Sequence, residues 1–179
     1  KMKKSTDNAT TWHLGQAPFE TALSRLELAL FSVLESQGRW QRECVVVTQG
    51  ELSISGTDNT LLNVIRMFER PKGVSEIAHI LNRDDLSNIQ YGIRKLQNMG
   101  LVTKADSHGS RKDVTYKVTS QGKSITEAFS QLRRDLLVKT LQSAGLTEEK
   151  IGELADQLIL MTGLYESAAG DVTLSNMPS

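Results

Sequence analysis

Apolar side chains recur at steps of three and four along most of this chain, with polar residues between them. Near the start, Phe19, Leu23, Leu26, Leu30, Val33, Gln37, Trp40, Cys44 and Val47 step by four and three without a break. That is a heptad seam, and it predicts one long helix from about Pro18 to Gln49, stopped by Gly50. Pro18 is tolerated in a first helical turn. Gly38 is a weak point inside it, worth about 1 kcal/mol against alanine. Val45, Val46 and Val47 also admit a strand, so residues 39–55 stay open.

The middle of the chain changes pattern twice. Pro71 and Gly73 break what precedes. Val74, Ile77, Ala78, Ile80 and Leu81 then give a short helix over Ser75 to Leu81 with one buried face. Asn82 and Arg83 form a turn. Asp84 or Asp85 caps the next helix, where a carboxylate meets free amides and the positive end of the dipole. Leu86, Ile89, Ile93 and Leu96 make its apolar stripe, Met99 extends it, and Gly100 stops it. Leu101, Val102 and Thr103 read as a strand. Val114 to Thr119 reads as a second one, alternating apolar and polar positions. The polar, basic loop 104–113 joins them. Helix, turn, helix and hairpin is the layout of a winged helix-turn-helix, which leaves the first turns of its second helix facing outward.

The C-terminal third is helical again. Ile125, Phe129, Leu132, Leu136 and Thr140 form one stripe, widened by Leu137 and Leu141 and ended by Gly145. Thr147 caps a further helix that carries Glu148 and Glu149 in its first turn. Ile151, Leu154, Leu158, Met161 and Tyr165 form its seam. These helices are longer than one small module needs. A homodimer is therefore expected, with Phe19, Leu23, Leu26, Leu30, Leu154, Leu158, Met161 and Tyr165 at its interface. The alternative is that they close a monomeric bundle.

The expected fold class is mainly α with a small β wing: a winged helix-turn-helix module flanked by long N- and C-terminal dimerisation helices. Residues 1–16 form a loose arm, 17–50 the N-terminal helix, 51–122 the module, 123–174 the C-terminal helices and 175–179 a frayed tail.

Composition narrows the function. The 179 residues carry no net charge, so the whole molecule is not a polycation. Its distribution is uneven: Arg66 to Lys117 holds ten Lys or Arg against six Asp or Glu, and Gly145 onward holds one against six. A basic middle suits an anionic partner. The single cysteine excludes an internal disulfide and suits a reducing compartment. No apolar run is long enough for a membrane, and Lys1 to Asn8 has no apolar core behind it to make a secretory signal. A cytoplasmic protein with no membrane partner is expected.

At Ser87-Asn88-Ile89-Gln90-Tyr91-Gly92-Ile93-Arg94-Lys95-Leu96, followed by Gly100-Leu101-Val102, the chain resembles the recognition helix of the MarR family of bacterial transcription regulators. Val118-Thr119-Ser120-Gln121-Gly122 is similar to that family's strand-to-helix junction. The resemblance covers about residues 50–125. It implies a dimeric regulator of double-stranded DNA, open to tuning by a small-molecule effector. The wing departs from the family pattern: Ser110 stands where an aspartate is usual, and Lys112 where an arginine is usual. Lysine meets a phosphate but does not reproduce the arginine fork.

The outward face of the second helix offers Ser87, Asn88, Gln90, Tyr91 and Arg94 to base edges and phosphates. Lys95 is placed as a surface or backbone contact, and Gly92 as a bare point where DNA approaches. In the wing, His108, Ser110, Arg111 and Lys112 are the contact candidates. Cys44 is expected as a buried inert thiol, although the family resemblance also admits a thiol sensor. Trp12 and Trp40 are core or interface residues, or the lining of a ligand pocket. His13, His79 and His108 have no metal spacing, His79 being placed as a packing or capping residue. No cofactor or catalytic constellation is expected. Two readings follow: a DNA-binding regulator, or a winged helix used as a protein-interaction module.

Overall fold

The computed structural model describes residues 13–49, 54–105 and 114–175. Its contacts divide it into one unit up to Phe129 and another from Ser130.

The first helix, α1 (Pro18–Gln49), runs unbroken, so Val45 to Val47 are helical. Its start is fixed by side chains: Glu20 accepts from the amides of Gln16 (2.8 Å) and Ala17 (3.2 Å), and Ser24 Oγ donates to the Leu14 carbonyl at 2.6 Å. Residues 13–16, expected to belong to a loose arm, thus form a turn against α1. The seam divides in two. Cys44 and Val45 are buried, Val45 within the apolar cluster of the module. Phe19, Leu26, Val33 and Val47 stay exposed. Cys44 is thus an enclosed thiol, and burial, with Glu43 adding, raises its pKa.

Next comes α2 (Gly56–Arg66), which periodicity alone does not reveal. A capping box starts it: Ser55 Oγ accepts from the Asp58 amide, and the Asp58 carboxylate accepts from the Ser55 amide. Leu61, Leu62, Val64 and Ile65 supply core, while buried Asn59 donates to Gln41 of α1 at 2.7 Å. The chain then runs through β1 (Lys72–Gly73), α3 (Val74–Ile80), α4 (Leu86–Asn98), β2 (Val102–Lys104) and β3 (Thr115–Val118). The strands form one antiparallel sheet in the order β1-β3-β2, with Lys72 opposite Tyr116 and Val102 opposite Val118. Ile77, Ala78, Ile89, Ile93, Leu96, Leu101 and Val102 close the core against α2. Gly100 takes the left-handed conformation (φ +73°) expected of a helix stop.

α5 (Ser120–Leu132) begins where Thr119 Oγ1 donates to the Gly100 carbonyl and accepts from the Gly122 amide. It continues into wider π-helical turns over Arg133–Val138 and then α6 (Lys139–Ser143). The two successive steps of four, Leu132 to Leu136 to Thr140, fall on this wider winding. Gly145 (φ +80°) ends it. Thr147 Oγ1 accepts from the Lys150 amide at 3.3 Å and caps α7 (Glu148–Ser175). None of the 28 residues of α7 is buried in the single chain.

Candidate nucleic-acid interface

α4 is held by its inner face. Ile89, Gly92, Ile93 and Leu96 are buried. Gly92, placed by sequence on a bare outer surface, instead points inward: a Cβ there would lie 2.7 Å from Cδ2 of Leu61. The glycine lets α4 lie close on α2. Leu86, expected in the core, is 42% exposed because it opens the helix beyond that contact. Asp85 is the cap: its carboxylate accepts from the Asn88 amide at 3.0 Å and from the Asn88 side chain.

Ser87, Asn88, Gln90, Tyr91 and Arg94 are all exposed. They occupy the first turns of α4 and the side opposite the buried stripe, with Tyr91 at 65% exposure. Lys95 has an intramolecular partner. Its ammonium lies 2.5 Å from Asp58 of α2, which ties α4 to the cap of α2. Burial pushes the Asp58 carboxyl up, but hydrogen bonds from Lys95 and Ser55 outweigh it and leave the pKa below the ordinary value. A carboxyl lowered on folding stabilises the module above its unfolded pKa of about 3.9, and that contribution is lost as pH falls through the folded value.

The cations sort into two groups. Arg66 pairs with Glu69 and Glu127, Arg70 with Glu76, Lys123 with Glu69, and Lys95 with Asp58. Arg83, Arg94, Lys104 and Lys117 are exposed and make no ion pair among the described residues. They lie in the turn before α4, on α4, and at the root of the wing. Spacing alone does not single out Arg83, Lys104 and Lys117; the excess of basic residues from Arg66 to Lys117 is their signal. His79 is exposed at the end of α3 rather than packed. His108, Ser110, Arg111, Lys112 and Trp12 lie outside the described residues, and no metal-binding group of His, Cys, Asp and Glu occurs among those described.

A groove of about 960 Å³ opens between α1, α2 and α4. Val45, Ile54, Leu61 and Ile89 give it an apolar floor, and Arg42, Arg83, Lys95 and Tyr91 line its rim. Trp40 is not among its lining residues.

These features define a winged-helix module. Residues 54–122 match the family model of the winged helix DNA-binding domain. The architecture is shared with solved regulators. Streptococcus pneumoniae FabT in complex with DNA aligns with a TM-score of 0.63 at 17% identity, covering 82% of this chain and 99% of that one. Mutant MarR from E. coli complexed with operator DNA aligns at 0.63 and 20% identity, covering 81% and 99%. The transcriptional regulator BldR from Sulfolobus solfataricus aligns at 0.64 and 18%, covering 79% and 97%. The fold is that of MarR-type regulators, as the resemblance around α4 implies. No curated protein matches the chain.

Proposed function

We propose that this chain is a sequence-specific transcription regulator that binds double-stranded DNA as a homodimer and reads an inverted-repeat operator. One observation carries the reading: α4 buries Ile89, Ile93 and Leu96 of its apolar stripe while Ser87, Asn88, Gln90, Tyr91 and Arg94 stay exposed at its leading end. Asn and Gln suit adenine edges, Arg suits guanine, and Ser and Tyr reach phosphates or bases. Arg83, Lys104 and Lys117 meet the DNA backbone beside them, with His108, Ser110, Arg111 and Lys112 of the wing. Two of the structural neighbours, FabT and MarR, were solved on DNA. A DNA partner and the single cysteine fit a cytoplasmic location.

The dimer rests on apolar helix faces that a single chain leaves open. In α7, Leu154, Leu158 and Tyr165 are each more than 40% exposed; in α1, Phe19 is 80% exposed. Leu23, Leu30 and Met161 are half-buried on the same seams. A second copy supplies the matching seam, and the twofold axis then sets two α4 helices about one DNA turn apart. A small ligand in the groove between α1 and α4 shifts that spacing and so tunes affinity.

Selection of bound duplexes from random DNA tests the reading. An inverted repeat with half-site centres about 10 base pairs apart is the expected product. Recovery of no enriched sequence overturns specific DNA binding.

A further inference from the structure

Among the described residues, Lys72 is the largest side chain with no solvent exposure. A buried ammonium is tolerated only when its protons are all taken up. No carboxylate lies within ion-pair distance of it among the described residues. Its Nζ donates instead to three backbone carbonyls: Ile65 at 3.2 Å, Arg70 at 3.1 Å, and Met67. The Phe68 ring lies over it, 5.8 Å from nitrogen to ring centre. Three N–H groups meet three acceptors.

The position of those acceptors gives the lysine its meaning. Ile65 is in the last turn of α2, where carbonyls lack helical partners and the dipole is negative. Met67 and Arg70 bracket a return loop in which Phe68 (φ 64°) and Glu69 (φ 50°) both hold the left-handed conformation, uncommon for residues with a Cβ. Lys72 is itself half of β1, paired through its backbone with Tyr116 of β3. β3 is the central strand of the wing and carries β2 on its other edge. One residue therefore joins the end of α2 to the root of the wing, while α2 also carries α4 through Gly92 and Asp58.

We propose that Lys72 is the positioning residue of the wing: its buried ammonium clamps the exit of α2 while its backbone fixes β3, setting the wing's angle relative to α4. The inference rests on the DNA-binding reading for its consequence, namely that wing cations and α4 engage the duplex together. Methionine at this position keeps the length but leaves three carbonyls without a donor. Glutamine keeps one amide group at shorter reach.

The test uses the full chain with Lys72→Met and Lys72→Gln, compared with the unaltered protein on DNA obtained by selection. In the free protein, amide exchange of Thr115 to Val118 is expected to accelerate about tenfold, while Ile93 and Leu96 of α4 change far less. Affinity is expected to fall about tenfold. The slope of log affinity against log salt is expected to flatten by about two, the loss of two wing phosphate contacts. Uniform acceleration across the module with an unchanged salt slope marks a stabilising role alone and overturns the proposal. If Lys72→Met does not fold, Lys72→Gln is read in its place; failure of both to fold also overturns it. If the unaltered protein binds no DNA, the DNA-binding reading fails, and the exchange pattern still decides whether Lys72 clamps the wing.

Discussion

Replacing Arg94, Arg111 and Lys112 together with alanine is expected to weaken operator binding by about a thousandfold at moderate salt. Arg94 is exposed on α4 and makes no ion pair among the described residues, so its fork is free for a guanine edge. Such a contact is worth roughly 1–3 kcal/mol. Arg111 and Lys112 each supply a phosphate contact in the proposed complex, of about 1 kcal/mol apiece. Together these approach 4 kcal/mol, or roughly three powers of ten. The loss has two signatures. Without Arg94, discrimination relaxes at one base position; without the wing pair, the salt slope flattens by about two. Arg94 holds no part of the core, so its removal leaves the thermal midpoint of the module unchanged. Retention of full affinity in a titration of the triple variant contradicts the assigned surface.

Gly122→Ala is expected to destabilise the module by about 3 kcal/mol or more, measured by urea unfolding. A Cβ on Gly122 would stand 2.2 Å from the carbonyl oxygen of Leu101 and 3.3 Å from Cβ of Val118. The first obstacle is backbone, and it is fixed: Leu101 has no exposed surface, and its carbonyl accepts from the Thr119 amide at 3.0 Å. Relief requires α5 to move away from the entry to β2 and the end of β3. That junction also carries the Thr119 hydroxyl bridge between Gly100 and Gly122. A loss below about 0.5 kcal/mol would show that the junction yields freely and that the wing root is not rigidly seated.

What sequence reveals here follows the range of the interactions involved. α4 is legible because its stripe, its Asp85 cap and its Gly100 stop are all local, and its outward residues follow from the stripe by elimination. α1 and α7 are legible for the same reason. α2 escapes notice because its buried face includes Asp58 and Asn59, which read as surface until Ser55, Gln41 and Lys95 supply their partners. Lys95 lies 37 positions from Asp58, so its ion pair is invisible to spacing along one helix. Lys72 sits in Arg70-Pro71-Lys72-Gly73, a stretch that reads as an exposed turn. Its burial depends on carbonyls that the fold gathers around it, and the two-residue β1 is too short for any alternation to register. Gly92 reads as an outer gap because the angular position of α2 is not encoded near it.

In the proposed dimer two α4 helices are presented together, one from each of two chains joined through their terminal helices. The most direct measurement is the distance between them in the free protein. A spin label at Gln90→Cys, with the buried Cys44 replaced by serine, puts one probe on the exposed face of each α4. Dipolar spectroscopy at micromolar concentration is predicted to return a single label-to-label distance near 34 Å, the repeat that matches successive major grooves. Absence of dipolar coupling, or a distance too long or too short to fit two adjacent grooves, would rule out this dimer.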